Sequence, residues 1–131
     1  GYGMVVFNKT DRSTRIECWP RYVDPLANPE GQYDGWPVVV PQQANYGRKA
    51  AAHLPEIRVE GLHEPVLQLY REGSDQLEYA LRMQGDRFRP KVFDAEATYR
   101  IRIGEPDREQ WQEYENLSPG EDNEPIVCRF E

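Results

Sequence analysis

Val66-Leu67-Gln68-Leu69-Tyr70 turns through Arg71-Glu72-Gly73-Ser74-Asp75 into Leu77-Glu78-Tyr79-Ala80-Leu81-Arg82-Met83, and this stretch decides the fold. A second run of the same kind follows Gly85. There Phe88-Arg89-Pro90-Lys91-Val92-Phe93 leads into Thr98-Tyr99-Arg100-Ile101-Arg102-Ile103-Gly104. Tyr99, Ile101 and Ile103 point one way, Arg100 and Arg102 the other. That period of two is the pattern of a strand with one buried and one wet face. It predicts an all-β, antiparallel two-sheet sandwich. The residues Leu67, Leu69, Leu77, Tyr79, Leu81, Tyr99, Ile101 and Ile103 should form one core, because side chains two apart share a sheet face.

Outward from this stretch, eleven prolines and ten glycines divide the chain into short runs, the spacing of strands in a sandwich. Met4 to Phe7 and Ser13 to Trp19 read as an opening hairpin. Its return strand sets Ile16 and Cys18 against Arg15, Glu17 and Trp19. Pro20, Pro25, Pro29 and Pro37 forbid a helix between Pro20 and Pro41, where only Val38-Val39-Val40 is strand-like. This is a long Pro-rich loop, and long loops often carry binding surfaces. Tyr46 to His53 reads as a connector with at most one helical turn. Ile57 and Val59 alternate in the next strand, and Ile126, Cys128 and Phe130 in the last. Between Pro106 and Leu117 the pattern suits a short helix or an edge strand, and we favour a strand or irregular segment. The count comes to roughly eight strands. The organisation expected is one domain over 1–131: a hairpin at 1–19, a Pro-rich loop and connector at 20–54, and core strands at 55–131.

At 131 residues the chain is long enough to bury one core without staples. A net charge of −7 and the lack of a Lys/Arg cluster argue against nucleic acid as a partner. No apolar run approaches the roughly 20 residues of a membrane span. No signal peptide is visible. The lone Gly1 before Tyr2 reads as a cloning remnant, and the chain as an excised fragment.

The run Gly3-Met4-Val5-Val6-Phe7-Asn8-Lys9, then Glu17-Cys18-Trp19-Pro20-Arg21, Asp34-Gly35-Trp36-Pro37-Val38 and Asn45-Tyr46-Gly47-Arg48-Lys49-Ala50, resembles the C-terminal part of exported PhoD-like metallophosphatases. Residues 55–104 resemble small immunoglobulin-like or carboxypeptidase-regulatory-like (prealbumin-like) modules. The resemblance implies a non-catalytic accessory β-sandwich at the end of a larger exported hydrolase, periplasmic or extracellular. There it would pack on the catalytic domain, its expected partner, or target the enzyme to another protein surface.

Catalytic chemistry is hard to place in these residues, and neither a catalytic residue nor a cofactor is expected. His53 and His63 stand in no metal motif such as Asp-x-His or Gly-His-x-His, and read as surface or loop histidines. Ser13, Ser74 and Ser118 lie in turn-like surroundings without a Gly-x-Ser-x-Gly elbow. No glycine-rich nucleotide loop is present. Glu121-Asp122-Asn123-Glu124 would offer oxygens to calcium, but its spacing is not that of an EF-hand, and adjacent loop acids are usually just solvated. A small independent enzyme remains the second alternative function, which a close pair of carboxylates or a histidine against a carboxylate in a pocket would support.

Two further features have alternative readings. Cys18 and Cys128 are either small buried hydrophobes or a disulfide closing a loop of about 110 residues, worth roughly 4–5 kcal/mol in the chain-entropy model. Trp19, Arg21, Tyr33, Asp34, Trp36 and Tyr46, in or beside the Pro-rich loop, form the candidate binding set. Packing of these aromatics is the plainer reading. A docking surface is the second. The third is carbohydrate binding, in which flat rings take the apolar faces of sugars while Arg21, Asp24, Asn28, Gln32 or Asp34 serve the hydroxyls.

Overall fold

The computed structural model describes residues 1–120 and 123–131. Among the described residues the fold is all-β, with two short 3-10 turns at Gln42–Ala44 and Pro106–Arg108. The Glu121–Glu124 loop weighed for calcium lies partly outside the described residues. Where the sequence suggested one domain over 1–131, the chain divides into two compact units, Gly1–Gly47 and Arg48–Glu131.

The first unit is a three-stranded antiparallel sheet. Strand β1 (Tyr2–Asn8) pairs with β2 (Ser13–Trp19), which pairs on its other side with β3 (Val38–Pro41). The β1–β2 turn is held by Asn8 and Asp11, whose amide and carboxylate oxygens accept the Thr10 and Ser13 N–H groups, respectively, at 3.0 Å. This is the usual turn chemistry of Asn and Asp. Ahead of β3, the Pro-rich segment already runs along the end of β2. Tyr33 N–H donates to Cys18 O at 3.0 Å, and Cys18 N–H donates to the Gln32 side-chain oxygen at 3.2 Å.

The second unit contains the sandwich core. Strands β4 (Ala52–His53), β5 (Ile57–Glu60), β6 (Val66–Arg71), β7 (Leu77–Arg82), β8 (Arg87–Phe88), β9 (Lys91–Val92), β10 (Tyr99–Glu105), β11 (Gln110–Leu117) and β12 (Ile126–Arg129) form three sheets. Their orders are β11-β10-β6-β7, β12-β5-β8 and β4-β9. Leu67, Leu69, Tyr99, Ile101 and Ile103 from the four-stranded sheet meet Ile57, Val59 and Cys128 from the three-stranded one in a single buried cluster. All pairings are antiparallel except β12 beside β5, which is parallel. The Phe88–Phe93 run is broken into two short strands around Pro90, because proline cannot donate to a ladder. The ambiguous stretch after Pro106 is a 3-10 turn followed by the full strand β11.

Of the eight core residues expected, five are buried, while Tyr79 and Leu81 pack half-buried against them. Leu77 is the correction. The β6–β7 register shifts between Leu69 and Tyr70, so that Leu77 stands opposite Tyr70 instead of continuing the inward series, and it is 44% exposed. A single extra residue at a bulge moves a side chain to the other face.

Candidate functional site

The site is best built from β2, whose Arg15, Glu17 and Trp19 set polar groups among apolar neighbours. Arg15, Glu17 and Trp19 alternate on one face, with Tyr2, Met4 and Val6 of β1 opposite them. Glu17 is buried and reaches both of its neighbours. It accepts the Trp19 indole N–H at 2.9 Å and Arg15 Nε at 2.6 Å. The indole hydrogen bond first, and then the guanidinium, hold the Glu17 carboxyl below the usual carboxylate range. The Pro-rich segment returns across this face, where Tyr2 Oη donates to Val23 O at 2.9 Å.

A hollow of about 250 Å³ opens here, lined by Arg15, Pro29, Glu30, Gln32, Trp36 and Pro37. The turn from Tyr33 to Trp36 presents the indole. Trp36 N–H donates to Tyr33 O at 3.2 Å, and Gly35 takes φ +85°, the sign that a type II turn puts at its third residue. Trp36 remains 38% exposed.

The candidate binding set is therefore only partly assembled. Trp36 lines the hollow, and so does Gln32. Trp19 does not present a platform: it is 2% exposed, and its N–H is spent on Glu17. Trp19 is thus a packing residue, the plainer of the readings that the sequence offered, and Trp36 is the exposed indole of the two. Arg21 is exposed, with its guanidinium 5.5 Å from the Tyr22 ring. Tyr33 and Asp34 are exposed outside the hollow's lining, and Tyr46 is half-buried. Asp24 and Asn28 shape the loop: Asp24 Oδ1 accepts Leu26 N–H and Asp24 O accepts Asn28 N–H, both at 2.9 Å. Arg15 and Glu30 were missed. Arg15 read as the wet side of a strand, and nothing in the residues around Glu30 marked it out among 23 acids.

The other face of the same sheet is apolar. The pairing aligns Gly3, Val5 and Phe7 with Cys18, Ile16 and Thr14, and Val38 and Val40 with Ile16 and Thr14. Val5 is 53% exposed and Phe7 74%, with Val38 also exposed and Ile16, Cys18 and Val40 half-buried. Cys18, half-buried in the first unit, and Cys128, buried in the second, are each a free thiol. Burial raises the Cys128 thiol above its usual range.

In the second unit a hollow of about 430 Å³ is lined by Gly61, Leu62, His63, Glu105, Asp107 and Arg108. It puts a histidine and carboxylates around one space. Glu105, however, is committed to structure: it pairs with Arg82 at 2.8 Å and caps the 3-10 turn by accepting Asp107 N–H. His53 is exposed in β4 and lies apart from this lining. Among the described residues no group of three or more His, Cys, Asp or Glu is arranged to hold a metal ion, and no helix is long and apolar enough to cross a membrane.

No family model, curated protein or solved structure matches this chain.

Proposed function

We propose that the chain is a non-catalytic accessory module that docks another protein surface through the apolar face of its first unit. The observation that carries this reading is the row Val5, Phe7 and Val38, exposed beside half-buried Ile16 and Val40 on one face of a three-stranded sheet. Contiguous apolar surface of this kind on a soluble domain usually marks a partner site, because covering it releases water at roughly 25 cal/mol per Å². The resemblance of segments within residues 3–50 to exported PhoD-like metallophosphatases supports the catalytic domain of a parent hydrolase as that partner. On that reading the second unit is an immunoglobulin-like or prealbumin-like sandwich, and the whole is exported.

Two measurements test this. The sequence encoded immediately before Tyr2 should carry His- and Asp-rich metal motifs, and a signal peptide directly before it would overturn the parent-enzyme assignment. The chain itself should hydrolyse no phosphomonoester or phosphodiester with any divalent metal added. Metal-dependent turnover by a preparation free of other phosphatases would defeat the accessory role.

A further inference from the structure

We propose that the Trp36 hollow is a binding subsite for one neutral pyranose ring, independent of the docking face and on the opposite side of the same sheet. The ligand class follows from the lining. Trp36 offers a flat, partly exposed indole flanked by Pro29 and Pro37, a surface suited to the C–H face of a sugar. The polar groups are of both kinds. Cys18 N–H can only donate, so Gln32 turns its oxygen to it and leaves its NH₂ as a donor. Arg15 is fixed through Nε by the buried Glu17 carboxylate, which leaves its terminal N–H groups as further donors. Glu30 supplies an acceptor.

Vicinal hydroxyls are the groups that both donate and accept at adjacent atoms, so they match a lining with donors and a carboxylate together. An anion fits less well. The Arg15 charge is already balanced by Glu17, and Glu30 adds a negative one. At about 250 Å³ the hollow is smaller than the roughly 300 Å³ at which pockets for drug-sized ligands begin, and has room for a single ring. The support is preformed: the Arg15–Glu17–Trp19 chain of hydrogen bonds spans the strand beneath the site. Preformed donors lose less freedom on binding.

The experiment is a titration of the full chain followed by ¹H–¹⁵N NMR. The neutral probes are the methyl glycosides of glucose, mannose and galactose. Glucuronate, glucose 6-phosphate and a proline-rich peptide are the competing arms. A neutral glycoside should shift the Trp36 indole N–H and the Gln32 amide and leave the Trp111 indole unmoved. Trp36→Ala should weaken binding about tenfold. Glu30→Gln, at an exposed position, should weaken it less and keeps the test valid if the Trp36 variant loses its fold, as judged by the Trp19 indole resonance. Absence of shifts with all three glycosides overturns the proposal. So does tighter binding of a charged sugar or of the peptide, or unchanged affinity in both variants.

Discussion

Ile101 and Val5 hold equivalent places in alternating strands, yet Ile101 is fully buried and Val5 is 53% exposed. The difference is the second layer. In the second unit the inward face of the four-stranded sheet meets residues of the three-stranded sheet, and eleven side chains join one buried cluster. In the first unit only Glu17 and Trp19 of the three-stranded sheet are buried, and Met4, Val6 and Val39 on their face stay exposed, as do Val5, Phe7 and Val38 on the other. Apart from Leu77 and Val127, every exposed large apolar side chain among the described residues belongs to the first unit. Alternation thus tells which residues share a face, but not whether anything lies over it. A face patterned for burial and left bare is the sign of a partner.

The sharpest way to break the comparison is to truncate both residues. Ile101→Ala should cost about 2–5 kcal/mol, since it removes a fully buried aliphatic side chain and leaves a cavity. Val5→Ala should change stability by no more than about 0.5 kcal/mol. Urea denaturation of the two variants decides it, and equal losses would mean that the first-unit face is covered in solution.

Next in size is a backbone test of the core sheet. Gly104 lies where β10 meets β11, and a Cβ there would come within 1.9 Å of Gln110 O and 2.9 Å of Trp111 Cα. Neither is the far end of a flexible side chain, so the strands must separate. Gly104→Ala should cost about 1–3 kcal/mol by the same assay. Gly3→Ala, on the bare face, meets only Glu17 O at 3.5 Å and should be nearly neutral.

These expectations rest on features that the sequence displayed unequally. Strand positions were legible wherever alternation ran unbroken, as at Ser13–Trp19 and Tyr99–Ile103. Leu77 was misjudged because a bulge reverses the count without any mark in composition. The sequence left Trp19 open between packing and binding because its partner Glu17, two residues earlier, is a buried carboxylate that looks like any surface acid in a strand. The hollow joins Arg15 to Pro29, Glu30 and Trp36 across a proline-rich turn, and no periodicity predicts where such a segment lands. The division at Gly47 was hidden because the connector carries no distinctive composition.

A third prediction uses acid to separate the two units. Because the Glu17 carboxyl is held below its usual range in the fold, the stability it contributes is fully present above the ordinary carboxylate pKa. It is lost as pH falls through the lowered folded value. Below about pH 4 the Trp19 indole resonance should therefore shift and broaden. Glu17→Gln should weaken the first unit at neutral pH and flatten this dependence. Glu105, lowered by its hydrogen bond from Arg82, gives the second unit some acid sensitivity as well. The Ile101 cluster is built mainly of aliphatic side chains, so its methyl resonances should persist to lower pH. Loss of both sets of signals together would show one cooperative unit and remove the distinction.

The smallest effect on stability should come from the face itself. Phe7→Ser and Val38→Thr replace side chains that are exposed in the chain, and exposed substitutions away from buried features usually stay within about 0.5 kcal/mol. Their consequence belongs to recognition. Fluorescence of a dye that binds apolar surface should fall in the double variant, while its urea midpoint stays that of the parent chain. Joined to the catalytic domain of the proposed hydrolase, the parent chain should lose most of that fluorescence, because the row from Val5 to Val40 is then covered. If dye binding is unchanged by Phe7→Ser and Val38→Thr, the apolar surface lies elsewhere, and the bare sheet face loses its claim to a partner.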